Sequence, residues 1–371
     1  MSGSTDASAF SDSMFLLSRL LLPAQQPGSH FPWMTDGFGT GCAGLSRERF
    51  DELVALAQAN HVIVRGITIF SGIVKEAGDE RRAEWAETAL AEEQVRIRTA
   101  LSFLREVCAA FASEGLDVTV IKSLDHWPDL GSDLDLYSNA APAAVIRLMK
   151  SRFRAKTAPR SWGDRLARKW NFILPGLPEP VEIHIGRLGQ TGEHVDFAVA
   201  IPERSRLITV EGNSYRVASV SDRLMISTLQ RMYRHFYFRL CDIIDSAGLV
   251  DSGAVNYGDL ERVAHTAGIW EGVATYLRIV SDYVKKYRGV GLKLPETVTS
   301  AARFGAEPVY YANRFLRIPL LPQSVGLYRS QLTGLLRKRE LHSTARLGLL
   351  PWLATAALVG QKITGSDKGI W

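Results

Sequence analysis

Two aspartates stand one residue apart in the segment IKSLDHWPDLGSDLDLYSN, which runs over residues 121–139. Residues i and i+2 of a β-strand project to the same face, so Asp133 and Asp135 should lie side by side while Leu134 and Leu136 face the core. Two carboxylates this close repel each other unless a cation lies between them. Mg²⁺ suits the arrangement because it takes oxygen ligands, commonly one or two carboxylates with water and substrate phosphate. The spacing predicts a metal site, although Asp-x-Asp also occurs by chance in turns and edge strands.

The segments around the aspartates predict an α+β fold with a small mixed β-sheet. LDVTVIK, residues 116–122, has the β-branched composition of a strand, and a loop containing Gly and Pro connects it to the Asp-x-Asp strand. The other predicted elements of this core are a helix over residues 141–153, strands in WNFILPG and PVEIHIG, and a hairpin in RLITVEGNSYRVASV.

Helical segments are expected on both sides of this core. Residues 81–114 have helical apolar spacing and predict one long amphipathic helix or two in succession. Residues 219–249 are predicted to form a long helical stretch, and most of the chain beyond them is predicted to be helix. We therefore divide the chain into an N-terminal tail and helical region (1–80), an α+β core with its preceding long helix (81–220), and a C-terminal helical region (221–371).

The order of strand, small-residue turn, loop and DLDL resembles the DNA-polymerase-β-like nucleotidyltransferase superfamily. Within it, residues 101 to about 270 resemble a bacterial family of uncharacterised nucleotidyltransferases, which has a Leu-Lys-Gly strand end, an Asp-x-Asp-Leu strand and then an acidic residue followed two positions later by His. The resemblance implies that Asp133, Asp135 and Glu182 are catalytic and bind Mg²⁺ or Mn²⁺, with Glu182 able by analogy to act as a base. Asp196 is a rival for the third carboxylate.

The same resemblance suggests residues that bind a nucleotide. Lys122 is a candidate point charge for a phosphate, and His184 either lines the site or makes a structural hydrogen bond. Ser123 departs from the family, which usually has Gly there, and this leaves open altered nucleotide use or weak catalysis. The full set of predicted nucleotide-binding residues is Lys122, Ser123, Ser132, His184, Arg234, His235 and Arg239.

Two further basic features have alternative interpretations. Arg231, Arg234, His235, Arg239 and Asp242 would fall on nearby positions of one helix, where they either face the nucleotide or form an ordinary ladder of ion pairs. Residues 147–169 contain nine basic side chains and one acid, with Trp162 and Trp170 nearby. This basic segment either contacts RNA or a triphosphate, or forms a solvated surface.

Composition limits the class of protein. Hydrophobic residues make up 46% and charged residues 22% of the chain, as in ordinary globular proteins, and the net charge is only +5. The three cysteines form no CxxC pair, and the N-terminus lacks the basic start of a secretory signal, so a cytoplasmic location is expected. The apolar segment 347–360 is too short to span a bilayer and is interrupted by Pro351; it predicts a packing helix or a weak membrane-surface contact.

These observations predict a Mg²⁺-dependent nucleotidyltransferase that moves an NMP from an NTP to an unidentified hydroxyl or phosphate. The acceptor class stays open among small molecules, saccharides, peptides and RNA. The alternative is a catalytically weak nucleotide- or RNA-binding module on the same fold.

Overall fold

The computed structural model describes residues 3–23, 42 and 44–352. Within them, the helices are α1 (Gly3–Leu21), α2 (Arg47–Ala59), α3 (Ile63–Glu76), α4 (Glu80–Ser113), α5 (Pro142–Phe153), α6 (Trp162–Leu166), α7 (Val195–Val199), α8 (Ile201–Arg204), α9 (Val220–Gln230), α10 (Leu240–Asp251), α11 (Tyr257–Thr266), α12 (Trp270–Arg288), α13 (Glu296–Ala301), α14 (Val325–Arg337) and α15 (Leu341–Gly348). The strands are β1 (Thr119–Val120), β2 (Leu134–Ser138), β3 (Lys156–Thr157), β4 (Lys169–Ile173), β5 (Val181–Ile185), β6 (Arg206–Val210), β7 (Asn213–Val217), β8 (Tyr237–Phe238), β9 (Tyr310–Ala312) and β10 (Phe315–Arg317).

Seven strands of the described chain form one mixed sheet in the order β3-β4-β5-β2-β1-β7-β6. β2 runs parallel to β5 and antiparallel to β1, and β6 and β7 form an antiparallel hairpin. The predicted α+β class is confirmed, as are the strands in WNFILPG and PVEIHIG, the hairpin, and the helix over residues 141–153. The helical pattern over residues 81–114 forms the single helix α4.

The two faces of this sheet have different partners. Leu134 and Leu136 of β2, as the alternation predicts, join a core with apolar residues of α4 such as Leu104 and Phe111. Tyr137, which shares its face of β2 with Asp135, belongs to a second core built mainly from helices. The aspartate face of the sheet therefore lies toward the helical part of the molecule.

The N-terminal and C-terminal helices pack into one common core. Leu17 of α1, Phe70 of α3 and Val280 of α12 are fully buried in it. Ser18 on α1 also hydrogen-bonds Tyr283 on α12, with 2.7 Å between their hydroxyl oxygens. This shared core packs α1, α3 and α12 together on the aspartate face of the sheet, to which Tyr137 contributes.

The prediction of a long helix over residues 219–249 is wrong. Helix α9 ends at Gln230, a π-helical turn follows over Arg231–His235, Phe236 adopts a positive φ of 55°, and the short strand β8 precedes α10. β8 pairs with β10, about 80 residues later, in a small sheet of order β8-β10-β9. Helical periodicity is a local signal, so it did not reveal this distant pairing.

Two other predictions concern the strand over residues 116–122 and the apolar segment 347–360. The strand predicted over residues 116–122 is much shorter, because only Thr119–Val120 pair with neighbouring strands. Among the described residues, no helix is both long and apolar enough to cross a bilayer. The predicted packing helix or membrane-surface contact over 347–360 lies mostly beyond residue 352, outside the described residues.

Candidate active site

The register of the central strands brings two of the predicted carboxylates together. β2 and β5 run parallel, with Asp135 directly opposite Glu182. Asp133 precedes β2 by one residue and is partly exposed, whereas Asp135 and Glu182 are buried. The rival Asp196 is exposed on α7 and borders a different cavity. Glu182, and not Asp196, is therefore the partner of the Asp-x-Asp pair.

Lys122 lies in a tight turn that directs its amine between these carboxylates. Its backbone has φ 74° and ψ −54°, and the Ser123 N–H donates to the Ile121 carbonyl at 3.0 Å. This is the geometry of the rare γ-turn, a conformation that costs on the order of 1–3 kcal/mol. Lys122 Nζ lies 2.5 Å from Asp135 Oδ1 and 3.7 Å from Glu182 Oε1. The ammonium group therefore places one positive charge beside both carboxyl groups.

Serine hydroxyls hold the Asp-x-Asp segment in place. The buried Ser123 hydroxyl donates to the carbonyl of Asp133 at 3.2 Å and accepts the N–H of Asp135 at 2.7 Å. These two bonds connect the turn at Lys122 to the start of β2. Ser132 is exposed and donates from its hydroxyl to Asp133 Oδ1 at 2.6 Å. Ser123 therefore has a structural role that glycine could not fill.

Glu182 is held from two sides. Its Oε2 accepts from Lys169 Nζ at 2.9 Å, and its Oε1 lies 2.8 Å from His184 Nε2. Lys169 also pairs with Asp164 at 3.0 Å. Sequence reasoning placed Lys169 only in the basic segment and missed this contact. A lysine at the start of the apolar strand KWNFI was the available signal, because β4 places Lys169 opposite His184.

The pKa shifts separate the roles of Asp135, Glu182 and His184. Burial raises the pKa of Asp135 to about 8, with the Glu182 and Asp133 charges adding to the effect and Lys122 opposing it. Burial also works against ionisation of Glu182, but Lys122, Lys169 and the His184 hydrogen bond together hold its pKa well below the ordinary value. Glu182 is thus a permanent carboxylate, better suited to binding a cation than to acting as a base.

His184 is neutral at physiological pH. Burial lowers its pKa to about 4, although the hydrogen bond to Glu182 favours the charged form. Because ionised Glu182 can only accept, the neutral ring carries its proton on Nε2 and leaves Nδ1 as an acceptor. Within the described chain, Nδ1 is buried without a hydrogen-bond partner. His184 therefore offers an unused lone pair beside the carboxylates.

A cleft, the carboxylate cleft, opens next to these groups. Lys122, Asp133 and Asp135 line one part of it, and Arg231 and Arg239 line another. Arg231 is 2% exposed and pairs with Asp242 at 2.7 Å. Arg231 Nη1 and Arg239 Nε are buried N–H groups without hydrogen-bond partners in the described structure. Within the described residues, the cleft thus combines paired carboxyl groups with single guanidinium N–H groups that have no hydrogen-bond acceptor.

The predicted helical set of basic residues is divided because the helix breaks at Phe236. Arg239 reaches the carboxylate cleft, as does Arg231, which was named in the sequence pattern but left out of the predicted nucleotide-binding set. Arg234 lines a neighbouring cavity, the Arg234 cleft, together with Lys122 and His184. His235 packs against Tyr237, and burial together with nearby arginines lowers its pKa well below the usual value. Neither cleft is lined by His235.

The basic segment does not form one surface. Lys169 is buried in the Glu182 pair, and Arg160 stacks on the Trp170 ring at 3.8 Å and donates to the Lys169 carbonyl at 2.8 Å. Trp170 is itself buried, whereas Trp162 is 60% exposed. The remaining basic side chains and Trp162 stay available to solvent, so RNA contact by this segment remains a prediction.

Side chains at this site could hold a divalent cation. One ligand atom each from Asp135, Glu182 and His184 lie within 4.8 Å of one another, and Asp133 adds a partly exposed carboxylate nearby. Carboxylate oxygens in this number are typical of Mg²⁺ and Mn²⁺ sites that are completed by water and phosphate. Lys122 Nζ lies against Asp135, so a cation entering here would compete with that ion pair.

Comparison of the sequence with models of known protein families gave no match, and comparison with curated proteins gave no match either.

Proposed function

We propose that this protein is a Mg²⁺-dependent nucleotidyltransferase that moves an NMP from an NTP to a hydroxyl or phosphate acceptor. One observation carries the proposal: Asp135 and Glu182 are opposed across two parallel strands beside Asp133, in a cleft whose other wall presents the guanidinium groups of Arg231 and Arg239. Carboxylates that hold a cation and cationic donors that hold phosphate are the two requirements of phosphoryl transfer.

Asp133, Asp135 and Glu182 would hold the metal. Mg²⁺ or Mn²⁺ bound there would neutralise charge on the transferred phosphoryl group and on the leaving pyrophosphate. The ionised state of Glu182, fixed by Lys169 and His184, supplies one permanent negative charge without any proton having to leave.

Arg231 and Arg239 would hold the triphosphate. Each has a buried N–H group that finds no acceptor among the described residues and is suited to phosphate oxygens, which accept charge-assisted hydrogen bonds. Lys122 borders both clefts, and its amine can turn from Asp135 to a phosphate oxygen when a cation takes its place. We assign the nucleotide to the carboxylate cleft on these grounds.

The Arg234 cleft is our candidate for the acceptor site. It adjoins the carboxylate cleft at Lys122, and His184, whose Nδ1 has no hydrogen-bond partner in the described structure, contributes to its lining. A hydroxyl acceptor would donate to that nitrogen, with Glu182 orienting the ring from the other side.

A second candidate function has its own support. Lys122 lies against Asp135, and Lys169 and His184 occupy the oxygens of Glu182, so both carboxyl groups already have polar partners within the protein. A nucleotide-binding module without turnover is consistent with this arrangement. It would bind NTP in the carboxylate cleft through Arg231, Arg239 and Lys122.

The test is incubation of the full chain with each labelled NTP, Mg²⁺ or Mn²⁺, and cell extract or separate panels of saccharides, peptides, small molecules and RNA. We expect transfer of labelled NMP by the wild-type protein and by Asp196→Asn, whose carboxylate lies outside the site. Asp135→Asn should abolish transfer. Absence of transfer to every acceptor, with retained Mg²⁺-dependent NTP binding, would favour the binding module; equal transfer by Asp135→Asn and wild type would contradict the assigned site.

A further inference from the structure

Three side chains with metal-binding chemistry converge beside the carboxylate cleft. They are His61, just after α2, His126 in the turn that follows Lys122, and Cys241 in α10. One ligand atom from each lies within 4.8 Å of the others. Cys241 Sγ and His126 Nε2 are 3.8 Å apart. Zn–S and Zn–N bonds of about 2.3 and 2.0–2.1 Å place tetrahedral ligands roughly 3.3–3.6 Å apart, so an ion would need to draw these atoms together by about 1–1.5 Å at most.

His126 is already oriented in the way that metal-bound histidines are. Its Nδ1 lies 2.5 Å from Asp245 Oδ2, which leaves Nε2 directed at the cysteine sulfur. Asp245 is fixed in turn by Arg65 at 2.6 Å, and Arg65 by Asp129 at 2.6 Å. A carboxylate behind a histidine sets its tautomer and raises its basicity as a ligand. The chain of polar contacts behind His126 therefore supports binding at Nε2.

Cys241, His126 and Asp245 also have the order of a Cys-His-Asp nucleophilic triad, but the burial of Cys241 argues against its use as a nucleophile. Cys241 is 0% exposed and is not among the residues that line the carboxylate cleft, whereas His61 and His126 are. A substrate carbonyl has no approach to the sulfur, because the two imidazoles lie at the cleft wall. An ion between the imidazoles and the sulfur needs no such approach.

We propose that His61, His126 and Cys241 form a binding site for a zinc-class divalent ion, distinct from the carboxylate site. A thiolate and two imidazoles favour Zn²⁺ over Mg²⁺, which prefers oxygen. Cys241 is in the first turn of the 12-residue helix α10, whose N-terminus favours a thiolate. Burial raises the pKa of the Cys241 thiol, so the charge of the bound ion would have to stabilise the thiolate and the proton would be released on binding. The three ligands leave a fourth coordination position for water. A bound ion would connect the end of α2, the turn after Lys122 and the start of α10, and so fix one wall of the cleft.

The probe is Co²⁺, followed by Zn²⁺ in competition with a chromophoric chelator, added to the reduced full chain without a histidine tag. We expect one equivalent of Co²⁺ to give a thiolate-to-metal absorption band that Zn²⁺ removes. Cys241→Ser should lose the band, and Asp245→Asn, which removes the carboxylate behind His126, should weaken Zn²⁺ binding about 10- to 100-fold. Cys108→Ser, at a half-buried cysteine of α4, is the matched control and should bind as wild type.

Wild-type protein that gives no thiolate band with Co²⁺ would overturn the proposal, and this result does not depend on whether any variant folds. An unchanged band in folded Cys241→Ser would overturn it too. Asp135→Asn should keep the Co²⁺ band although it loses NMP transfer, so failure of the zinc-class site and failure of the proposed enzymatic function are distinguishable.

Discussion

Replacing Asp135 by Asn should remove a pH dependence of stability. The pKa of Asp135 is raised to about 8 from an ordinary value of 3.8, mainly because the carboxyl group is buried. Between about pH 4 and pH 8 the folded protein therefore keeps a proton that the unfolded chain has lost. The stabilisation from this group is complete below pH 4 and is lost as the pH rises toward 8.

The magnitude follows from this shift. Each pH unit inside the window changes the free energy of unfolding by about 1.4 kcal/mol. From pH 5 to pH 7, the wild-type protein should thus lose about 3 kcal/mol relative to Asp135→Asn, whose amide does not titrate. The comparison isolates Asp135, because the other titrating groups are common to both proteins.

The assay is urea unfolding of both proteins at pH 5, 6 and 7, in EDTA and again with Mg²⁺. With EDTA, the difference in free energy of unfolding should follow the slope above. With Mg²⁺, the difference should shrink, because the cation binds only the ionised carboxylate and stabilises the wild type by about 2.7 kcal/mol at a concentration 100 times its Kd.

If the free energies of unfolding of the wild type and Asp135→Asn have the same pH dependence in EDTA, the raised pKa is refuted. Asp135 would then titrate near its ordinary pKa in the folded protein. An unchanged difference on adding Mg²⁺ would instead contradict Asp135 as a metal ligand while leaving its raised pKa intact.

Three other variants test separate parts of the site. In urea unfolding, Lys169→Met should lower the free energy of unfolding by about 3–5 kcal/mol, because Asp164 and Glu182 lose their buried cation. The control Lys150→Met, on the exposed face of α5, should change it by less than about 0.5 kcal/mol. Ser123→Ala should cost about 1–3 kcal/mol in thermal unfolding, since the buried Asp135 N–H loses its acceptor, and an unchanged melting temperature would contradict that role. Arg239→Gln should weaken NTP binding about 10- to 100-fold in calorimetric titration, because a charge-assisted hydrogen bond is lost. The control Arg165→Gln, at an exposed position, should bind NTP as the wild type does. Equal NTP affinities of Arg239→Gln and wild type would argue against the assignment of Arg239 to phosphate.

The sequence by itself determined the α+β class and the central elements of the site. Alternation in DLDL placed the two leucines toward the apolar core and Asp135 on the opposite face, and the structure agrees because side-chain direction in a strand follows directly from the backbone. The resemblance pointed to Glu182 of VEIHIG rather than Asp196, and the strand register places Glu182 opposite Asp135. These are local properties that a short window of sequence contains.

Tertiary structure decided which charges neutralise the carboxylates. Lys122 acquires its position from a γ-turn, and Lys169 from a strand register across β4 and β5, so neither contact follows from spacing along the chain. The long helix predicted over residues 219–249 failed for the same reason: pairing of β8 with a strand about 80 residues away outweighs local helical periodicity. That break places Arg231 and Arg239 in one cleft and Arg234 in another.

The cluster of His61, His126 and Cys241 depended on tertiary structure entirely. Its residues come from three elements separated by more than 60 residues at each step, and their spacing matches no metal-binding motif in the sequence. They meet because the N-terminal and C-terminal helices share one hydrophobic core against the aspartate face of the sheet. Burial of apolar surface drives that packing without regard to chain order, and the polar residues are brought together as a consequence.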